Sequence, residues 1–263
     1  MLADSSDATS LLVAPLREAQ HCAALREFGA YGVARVLRSA ASGAWPSGDR
    51  LIAPSGAAQA HGGEWLVDAA DCLRLPASLD EQAALALPPL MAALGCWAQL
   101  RLELGEEAAV SGATPLAGLL RLTAYWQGAM PVVALGGDAQ ALDNCVTVAL
   151  DDAQLAVARL QELQGSIPGF AAVDVSGRAW SADILFQALP RWGRLRLGGV
   201  TLESLTVDFY KDVHVKGARV LTAPFTLAAL LGDRAALPAL HRRAVRLLER
   251  TATGAAVKAV LGL

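Results

Sequence analysis

A stretch near the middle of the chain, residues 106–137, constrains the fold more than any other part of the sequence. A short apolar run enters a turn of small residues at 111–115, a helical pattern follows, and a second apolar run ends at Gly136 and Gly137. Strand, tight turn, helix and strand within about 30 residues form a βαβ unit, which places two parallel strands side by side. The sequence therefore predicts an α/β fold built on a parallel sheet.

The turn in this unit is similar to the glycine-rich turns that hold a pyrophosphate. In the pattern G-x-G-x-x-G, glycines let the backbone approach the anion closely, and the N–H groups at the helix start face it. Gly112 keeps the first glycine, whereas Thr114 and Ala117 stand at the second and third positions. An acidic ribose-binding residue is expected at the end of the second strand, where Gly136 stands and Asp138 follows. Two interpretations stay open, a nucleotide-binding turn that has lost part of its motif and an ordinary turn packed by small residues.

The candidate contacts for a dinucleotide lie in this turn or at the predicted carboxyl ends of strands, because open α/β sheets bind ligands at that edge. They are Gly112, Ala113, Thr114, Pro115, Leu116, Gly136, Asp138, Ser176 and Gly198. Asp174 and Ser176 carry a second interpretation, in which they only cap the helix that follows them.

Apolar runs alternate with helical patterns through the second half of the chain. Strands are predicted at 146–150, 170–175, 193–197 and 215–221, helices at 151–163, 179–189, 227–231 and 237–250, and an extended tail at 255–261. This alternation predicts a parallel sheet with helices on both faces.

The first part of the chain has a different pattern. Residues 11–30 read as a helix or as a strand followed by a helix, and residues 31–78 as short strands separated by turns. Residues 79–100 have a helical pattern that Pro88 and Pro89 are expected to kink or divide. We therefore expect a small β-rich unit ahead of the parallel sheet.

The segment around Tyr210, Lys211 and His214 holds the densest group of reactive side chains, and these three are the candidate catalytic residues. The alternative interpretation is a polar helix or loop ahead of an interface strand. The four cysteines and four histidines are scattered without ligand spacing, so we predict no metal site.

Composition excludes several classes of function. The chain of 263 residues has a net charge of −3 and no basic run, which argues against a nucleic-acid partner. No uncharged apolar stretch has the roughly 18 residues of a membrane span. The polar, acidic start lacks the pattern of a signal peptide, so we expect a cytoplasmic protein with a small-molecule substrate.

Five segments resemble the pattern of a known family in the same order. They read YGVARV and WPSGDRL from residue 31, GGEWLV and CLRLP from residue 62, EQAALALP from residue 81, LGEEAAVSGATPLA from residue 104, and WGRLRLGG from residue 192. Together they resemble the medium-chain dehydrogenase/reductase family, which includes alcohol dehydrogenases and quinone reductases, over residues 30–263.

The resemblance implies a Rossmann-type domain at residues 88–222. It also implies a truncated GroES-like remnant at residues 1–87 that residues 223–263 complete. The zinc-binding segments of the family are missing, so the resemblance implies a zinc-independent oxidoreductase that uses NAD or NADP on a small carbonyl or activated alkene. The alternative is a degenerate member, a pseudoenzyme, that binds no dinucleotide and serves a non-redox biosynthetic reaction or a partner subunit. A homodimer through residues 215–221 is also implied.

Overall fold

Two sheets of different kinds organise the chain, one five-stranded and antiparallel, the other six-stranded and parallel. The computed structural model describes residues 10–19, 25, 28–39, 44–55, 63–136, 142–164, 169–199 and 203–263. The chain divides into a first unit, Met1–Met91 with Thr226–Leu263, and a second unit, Ala92–Phe225. The predicted fold class, a Rossmann-type parallel sheet with a truncated GroES-like remnant, is confirmed. The assignment of domain types to 1–87, 88–222 and 223–263 stays a prediction.

The antiparallel sheet belongs to the first unit. Its strands are β1 Ser10–Glu18, β2 Tyr31–Arg38, β3 Arg50–Pro54, β4 Trp65–Asp68 and β5 Leu73–Arg74. They lie in the order β4-β1-β2-β3-β5 with antiparallel neighbours. Leu11 and Val13 are buried on one face of β1, which is the two-residue period of a strand. The open prediction for 11–30 is thus settled as strand up to Glu18, while residues 20–24 and 26–27 lie outside the described residues.

The helical segment after β5 divides ahead of its two prolines. Helix α1 spans Glu81–Leu85 and helix α2 spans Leu87–Leu100. Asp80 begins α1 by accepting a hydrogen bond from Ala83 N at 2.6 Å. Pro88 and Pro89 stand in the first turn of α2, where no backbone N–H is needed. The predicted division is therefore confirmed, and the prolines begin the second helix instead of bending it.

Three helices close the first unit, α6 Leu227–Gly232, α7 Leu237–Glu249 and α8 Thr251–Leu261. The extended tail predicted at 255–261 is wrong, because these residues are helical. Val257 and Leu261, four residues apart, are fully buried on one face, which is a helical period. Gly262 ends the helix with a left-handed backbone, at a φ of 65°.

Six parallel strands form the sheet of the second unit. They are β6 Glu107–Ser111, β7 Val132–Leu135, β8 Cys145–Val148, β9 Phe170–Asp174, β10 Arg194–Leu197 and β11 Arg219–Thr222. Their order is β11-β10-β9-β6-β7-β8, and every neighbouring pair is parallel. The chain starts in the middle of the sheet, builds outward to β8, returns, and builds outward on the other side. This is the strand order of doubly wound nucleotide-binding sheets.

Helices cover this sheet on both faces. Helix α3 Pro115–Trp126 joins β6 to β7, helix α4 Ala153–Leu163 joins β8 to β9, and helix α5 Ala179–Ala188 joins β9 to β10. Because crossovers between parallel strands are right-handed, α3 and α5, which run outward in opposite directions, lie on opposite faces. On the α3 side, Trp97 of α2 donates its indole N–H to Leu120 O at 3.0 Å and to Thr123 Oγ1 at 3.1 Å.

The segment before β11 differs from the prediction. Residues 215–221 were expected to form the last strand, but the strand begins at residue 219, after a π-helical turn at Phe209–His214. Lys216 turns back to α5, where its Nζ donates to Phe186 O at 2.7 Å and to the next carbonyl oxygen at 2.9 Å. The backbone explains the later start of the strand, because Val215 N donates to Tyr210 O at 2.9 Å and Gly217 N donates to His214 O at 3.0 Å, which are bonds of a turn.

A largely buried ion pair ties the amino ends of three strands together. Arg194 Nη2 lies 2.6 Å from Glu106 Oε2, and the two side chains are 15% and 9% exposed. Glu106 also accepts from Glu103 N at 2.8 Å, and Arg194 donates to Arg101 O at 2.7 Å. The pair spans β9 at Gly169, where an added Cβ would lie 2.2 Å from Glu106 Oε1. Gly169 is thus required for the ion pair to form.

We predict that Gly169→Ala lowers the free energy of unfolding by about 2 kcal/mol or more, because the new Cβ displaces Glu106 and leaves a buried charge without its partner. Urea unfolding followed by circular dichroism measures the change. Gly232→Ala is the control, since an added Cβ there meets no atom within 4 Å. Equal unfolding free energies for wild type and Gly169→Ala would contradict the role of the ion pair.

Candidate functional site

The candidate site lies where the two halves of the parallel sheet diverge. The connection after β6 runs to β7 on one side, and the connection after β9 runs to β10 on the other. Ser111 and Asp174, the last residues of β6 and β9, are register partners. The residues that follow them therefore diverge from a shared edge, which is the ligand-binding crevice of open α/β sheets.

Gly112 begins one wall of this crevice, and only glycine fits there. Its φ is 128°, a region that favours glycine, and an added Cβ would lie 3.2 Å from both Ser176 N and Val175 Cγ2. Its N–H donates to Leu135 O at 3.2 Å, and its carbonyl oxygen accepts from Arg121 Nη1 at 3.1 Å. The first glycine of the motif therefore serves a close approach between the backbones that follow β6 and β9.

The start of α3 is less open to an anion than in an intact glycine-rich turn. Thr114 is the N-cap, and its Oγ1 accepts from Ala117 N at 3.3 Å. Pro115, the first helical residue, has no N–H to offer. Leu116, a predicted contact, is 2% exposed, so its side chain belongs to the core. Ala113 and Thr114 contribute the N–H groups ahead of the proline.

A buried group of hydroxyls surrounds the Asp174 carboxylate at the end of β9. Ser176 Oγ donates to Asp174 Oδ1 at 2.7 Å, Ser181 Oγ donates to the same oxygen at 3.3 Å, and Ser181 Oγ shares a short hydrogen bond with Ser111 Oγ. Burial raises the pKa of Asp174, although the hydroxyls oppose the shift. Ser176 also accepts from Arg178 N at 3.1 Å, so its observed contacts are those of a residue that closes the turn into α5.

Glycines close the carboxyl ends of β9 and β10. The N–H groups of Gly198 and Gly199 donate to Asp174 O at 2.9 and 3.1 Å. An added Cβ on Gly198 would lie 2.2 Å from Phe225 Cε2, and one on Gly199 would lie 2.6 Å from Gly177 N. The chain therefore needs small residues here for packing, whether or not a ligand binds.

A pocket of about 620 Å³ opens beside the turn. Its lining residues are Ala113, Gly136, Thr147, Val148, Ala149, Leu150, Asp151 and Trp180. The structure thus brings two predicted residues, Ala113 and Gly136, together with side chains that sequence reasoning missed. Of these, Trp180 is 47% exposed in the first turn of α5. The pocket is open to solvent, and the polar side chains of Thr147 and Asp151 lie among its apolar ones.

The N-terminus of α5 is already occupied by an acidic side chain. Glu203 Oε2 accepts from Ala179 N at 2.8 Å, and Arg178 Nη1 donates to Glu203 Oε1 at 3.2 Å. The partial positive charge of this helix end therefore faces a carboxylate of the chain itself. An anionic ligand has less to gain here than at the start of α3.

The candidate catalytic residues lie at the other edge of the sheet. Tyr210, Lys211 and His214 belong to the π-helical turn that precedes β11, and this places them at the amino ends of the strands. The rings of Tyr210 and His214 stack with their centroids 5.4 Å apart, and Tyr210 is 69% exposed. These three residues do not share a site with Gly112. Asp138 lies outside the described residues.

The described part of the chain contains no group of three or more His, Cys, Asp and Glu side chains that converge on one point. Cys72 and Cys96 are buried free thiols, and burial raises the pKa of each to about 12, so they stay protonated and unreactive. Over the same described residues, no helix has the length and apolar character to cross a membrane.

Several solved structures are similar to the chain over nearly its whole length. The 2R,3R-butanediol dehydrogenase of Bacillus subtilis superposes with a TM-score of 0.67 and 15% identity, covering 100% of this chain and 90% of that one. Galactitol-1-phosphate dehydrogenase of Escherichia coli gives 0.70 and 11%, covering 98% and 91%. A Sinorhizobium meliloti protein described as a zinc-binding dehydrogenase, bound to NADP, gives 0.65 and 17%, covering 94% and 82%.

No family model matches the sequence, and no curated protein matches it. At identities this low, the similarity to solved structures shows the fold. The chain has the fold of the medium-chain dehydrogenases, which confirms the resemblance predicted from its motifs at the level of architecture.

We predict that Asp174→Asn changes the pH dependence of stability. Because burial raises the folded-state pKa of Asp174 above its ordinary 3.8, this carboxyl stabilises the fold fully below that value and progressively less as the pH rises through the folded-state pKa. The free energy of unfolding of Asp174→Asn, relative to wild type, should therefore increase as the pH rises from about 4 toward neutrality.

Urea titrations across that pH range measure the difference. Asp183→Asn removes a carboxylate from the exposed side of α5, where Asp183 bonds only Gln187 among the described residues, and serves as the control. A difference between Asp174→Asn and wild type that does not vary with pH would contradict the assignment.

Proposed function

We propose that the chain is a zinc-independent oxidoreductase that binds NAD or NADP at the carboxyl edge of β6 and β9. The observation that carries the proposal is the backbone at Gly112, whose positive φ and close contact with the chain after β9 shape the turn beside a pocket of about 620 Å³. The doubly wound strand order supports it, as does the fold shared with dehydrogenases, one of which is bound to NADP.

The residues present fit a dinucleotide, but with fewer contacts than an intact glycine-rich turn provides. The pyrophosphate would face the N–H groups of Ala113 and Thr114 ahead of α3, with the positive end of the helix behind them. Pro115 and the Thr114 cap remove donors that an intact turn supplies, so the anion is held by fewer hydrogen bonds. The adenosine end would lie in the pocket beside Trp180. The cofactor supplies the hydride when bound, and the protein supplies orientation and excludes water.

A small carbonyl compound or an activated alkene is the proposed substrate class, because both accept hydride without a metal ligand on the protein. Zinc independence is proposed from the sequence, which lacks the zinc-binding segments of the family that it resembles. Some of the similar structures are described as zinc-binding dehydrogenases, so the proposal separates this chain from them.

The second candidate is a degenerate dehydrogenase-like protein that binds no dinucleotide. Pro115, the Thr114 cap and the glycine at position 136 favour it, because each removes a contact that such a cofactor usually has. It would serve a non-redox biosynthetic reaction or a partner subunit. Direct measurement of nucleotide binding separates the two candidates.

A homodimer through the outer edge of β11 is also part of the proposal. The strand lies at the end of the sheet, and large apolar side chains near its amino end are exposed. These are Trp192 at 73%, Phe209 at 68%, Tyr210 at 69% and Val215 at 48%. An unpaired edge strand beside exposed aromatic residues is a typical surface for pairing with a second copy.

We predict that calorimetric titration of the purified protein with NADH or NADPH gives a dissociation constant in the micromolar range for at least one of them. Gly112→Ala should weaken binding at least about tenfold, because the new Cβ is strained at this φ and crowds the chain after β9. Gly232→Ala, in the first unit, is the control. No binding at millimolar nucleotide would reject the oxidoreductase and favour the second candidate. Unchanged binding by Gly112→Ala would reject the role of the turn.

We predict that Thr222→Pro converts the dimer to a monomer. The N–H groups of Arg219 and Ala223 donate toward β10, so those of the alternate residues Val220 and Thr222 point to the outer edge. Proline at Thr222 removes one outer donor and leaves the bonds to β10 intact. Sedimentation velocity measures the mass, with circular dichroism to confirm folding. A folded variant that stays dimeric, or a monomeric wild type, would contradict the proposed interface.

A further inference from the structure

The place where a ribose-binding acid is expected is filled by an apolar side chain. Gly136 ends β7 with a φ of 64°, and an added Cβ would lie 2.2 Å from Leu150 Cδ1. Leu150 follows β8, whose carboxyl end is bonded to Gly136 through Val148 O at 3.2 Å. A side chain at position 136 would therefore displace Leu150, and among the described residues the carboxylate that lines the pocket follows the neighbouring strand.

Asp151 is the charged residue that lines the same pocket. It stands directly after Leu150 and is exposed. Its neighbour Asp152 is already used, because Asp152 Oδ1 accepts from Gln154 N at 2.8 Å and Leu155 N at 3.1 Å to begin α4. Among the described residues, no donor binds the Asp151 carboxylate. Of the two adjacent acids, one begins a helix and the other is available to a ligand in the pocket.

No basic residue balances Asp151 at this end of the pocket. The described lining contains neither Lys nor Arg. The connection from 136 to 144 contains Asp138 and Asp143 and no basic residue in its sequence. Two arginines of the elements that follow β6 and β9 are bonded elsewhere, Arg121 to Gly112 O and Arg178 to Glu203. A phosphate carrying a charge of about −2 would meet an uncompensated carboxylate here.

We infer that Asp151, which follows the neighbouring strand β8, binds the ribose hydroxyls and makes the site select NAD(H) against NADP(H). The inference rests on the proposed function. A carboxylate accepts hydrogen bonds from a 2′,3′-diol and repels a 2′-phosphate, whereas NADP sites supply an arginine there. The residue that selects the nucleotide thus follows β8 and not β7, because the Leu150 side chain occupies the space beside Gly136.

Parallel calorimetric titrations of the intact protein with NADH and NADPH test this inference. Wild type should bind NADH at least about tenfold more tightly than NADPH, a difference of about 1.4 kcal/mol. Asp151→Asn should reduce the ratio of the NADPH and NADH dissociation constants about threefold or more, and Asp151→Arg should raise the affinity for NADPH. Each change removes the repulsion between the Asp151 carboxylate and the 2′-phosphate. Asp151 is exposed, so both variants should fold, and circular dichroism confirms it.

Asp183→Asn is the matched control, since it removes the same charge from α5 at a residue that does not line the pocket. Equal affinity for both nucleotides, tighter binding of NADPH, or an Asp151→Asn ratio equal to that of wild type would overturn the inference and leave the proposed function standing. Binding of neither nucleotide would overturn both. A shift with Asp183→Asn as large as that with Asp151→Asn would also overturn it, because the effect would then be general charge and not contact.

Discussion

The second unit depends on close approaches between backbone segments, and around one ion pair, at positions where glycine has no side chain to intervene. At the amino edge, the Glu106–Arg194 pair spans β9 only because Gly169 leaves room for it. At the carboxyl edge, Gly112 packs against the chain that follows β9, and Gly199 packs against Gly177. The three adjacent strands β6, β9 and β10 are therefore in close contact at both edges of the sheet, and these contacts hold the carboxyl ends that form the crevice. A preorganised crevice loses less entropy when a ligand binds, which offsets part of the weakness of a turn with few donors.

The contacts around the turn indicate how the binding energy would be distributed. A dinucleotide site usually gains much of its affinity from a helix N-terminus that faces the pyrophosphate. Here Thr114 and Pro115 leave fewer donors at α3, and Glu203 occupies the start of α5. The pocket beside Trp180 offers apolar surface instead. A ligand of this site would therefore be held more by its adenosine end than by its phosphates.

Much of the fold was predictable because buried parallel strands read as continuous apolar runs and their connecting helices read with a period near four. The predicted strands at 146–150, 170–175 and 193–197 are close to β8, β9 and β10 for this reason. The segments at 215–221 and 255–261 were wrong because short apolar stretches have no clear period, and tertiary contacts such as that of Lys216 decide them. Leu150 and Trp180 were missed because only folding brings them to Gly136 and Ala113, and no spacing in the sequence records that proximity.

Helix α5 is held at both ends by one connection, the one between β10 and β11. Glu203 accepts from its first N–H group, that of Ala179, and Lys216 donates to its last carbonyl oxygens, so each charge matches the helix dipole at that end. The connection between β10 and β11 is thus bonded to both ends of helix α5. A shift of α5 caused by a ligand at Trp180 would be transmitted along the helix to Lys216, and from there to the turn that precedes the outer strand. Helix α5 thus links Trp180, in the wall of the pocket, to the turn that precedes β11.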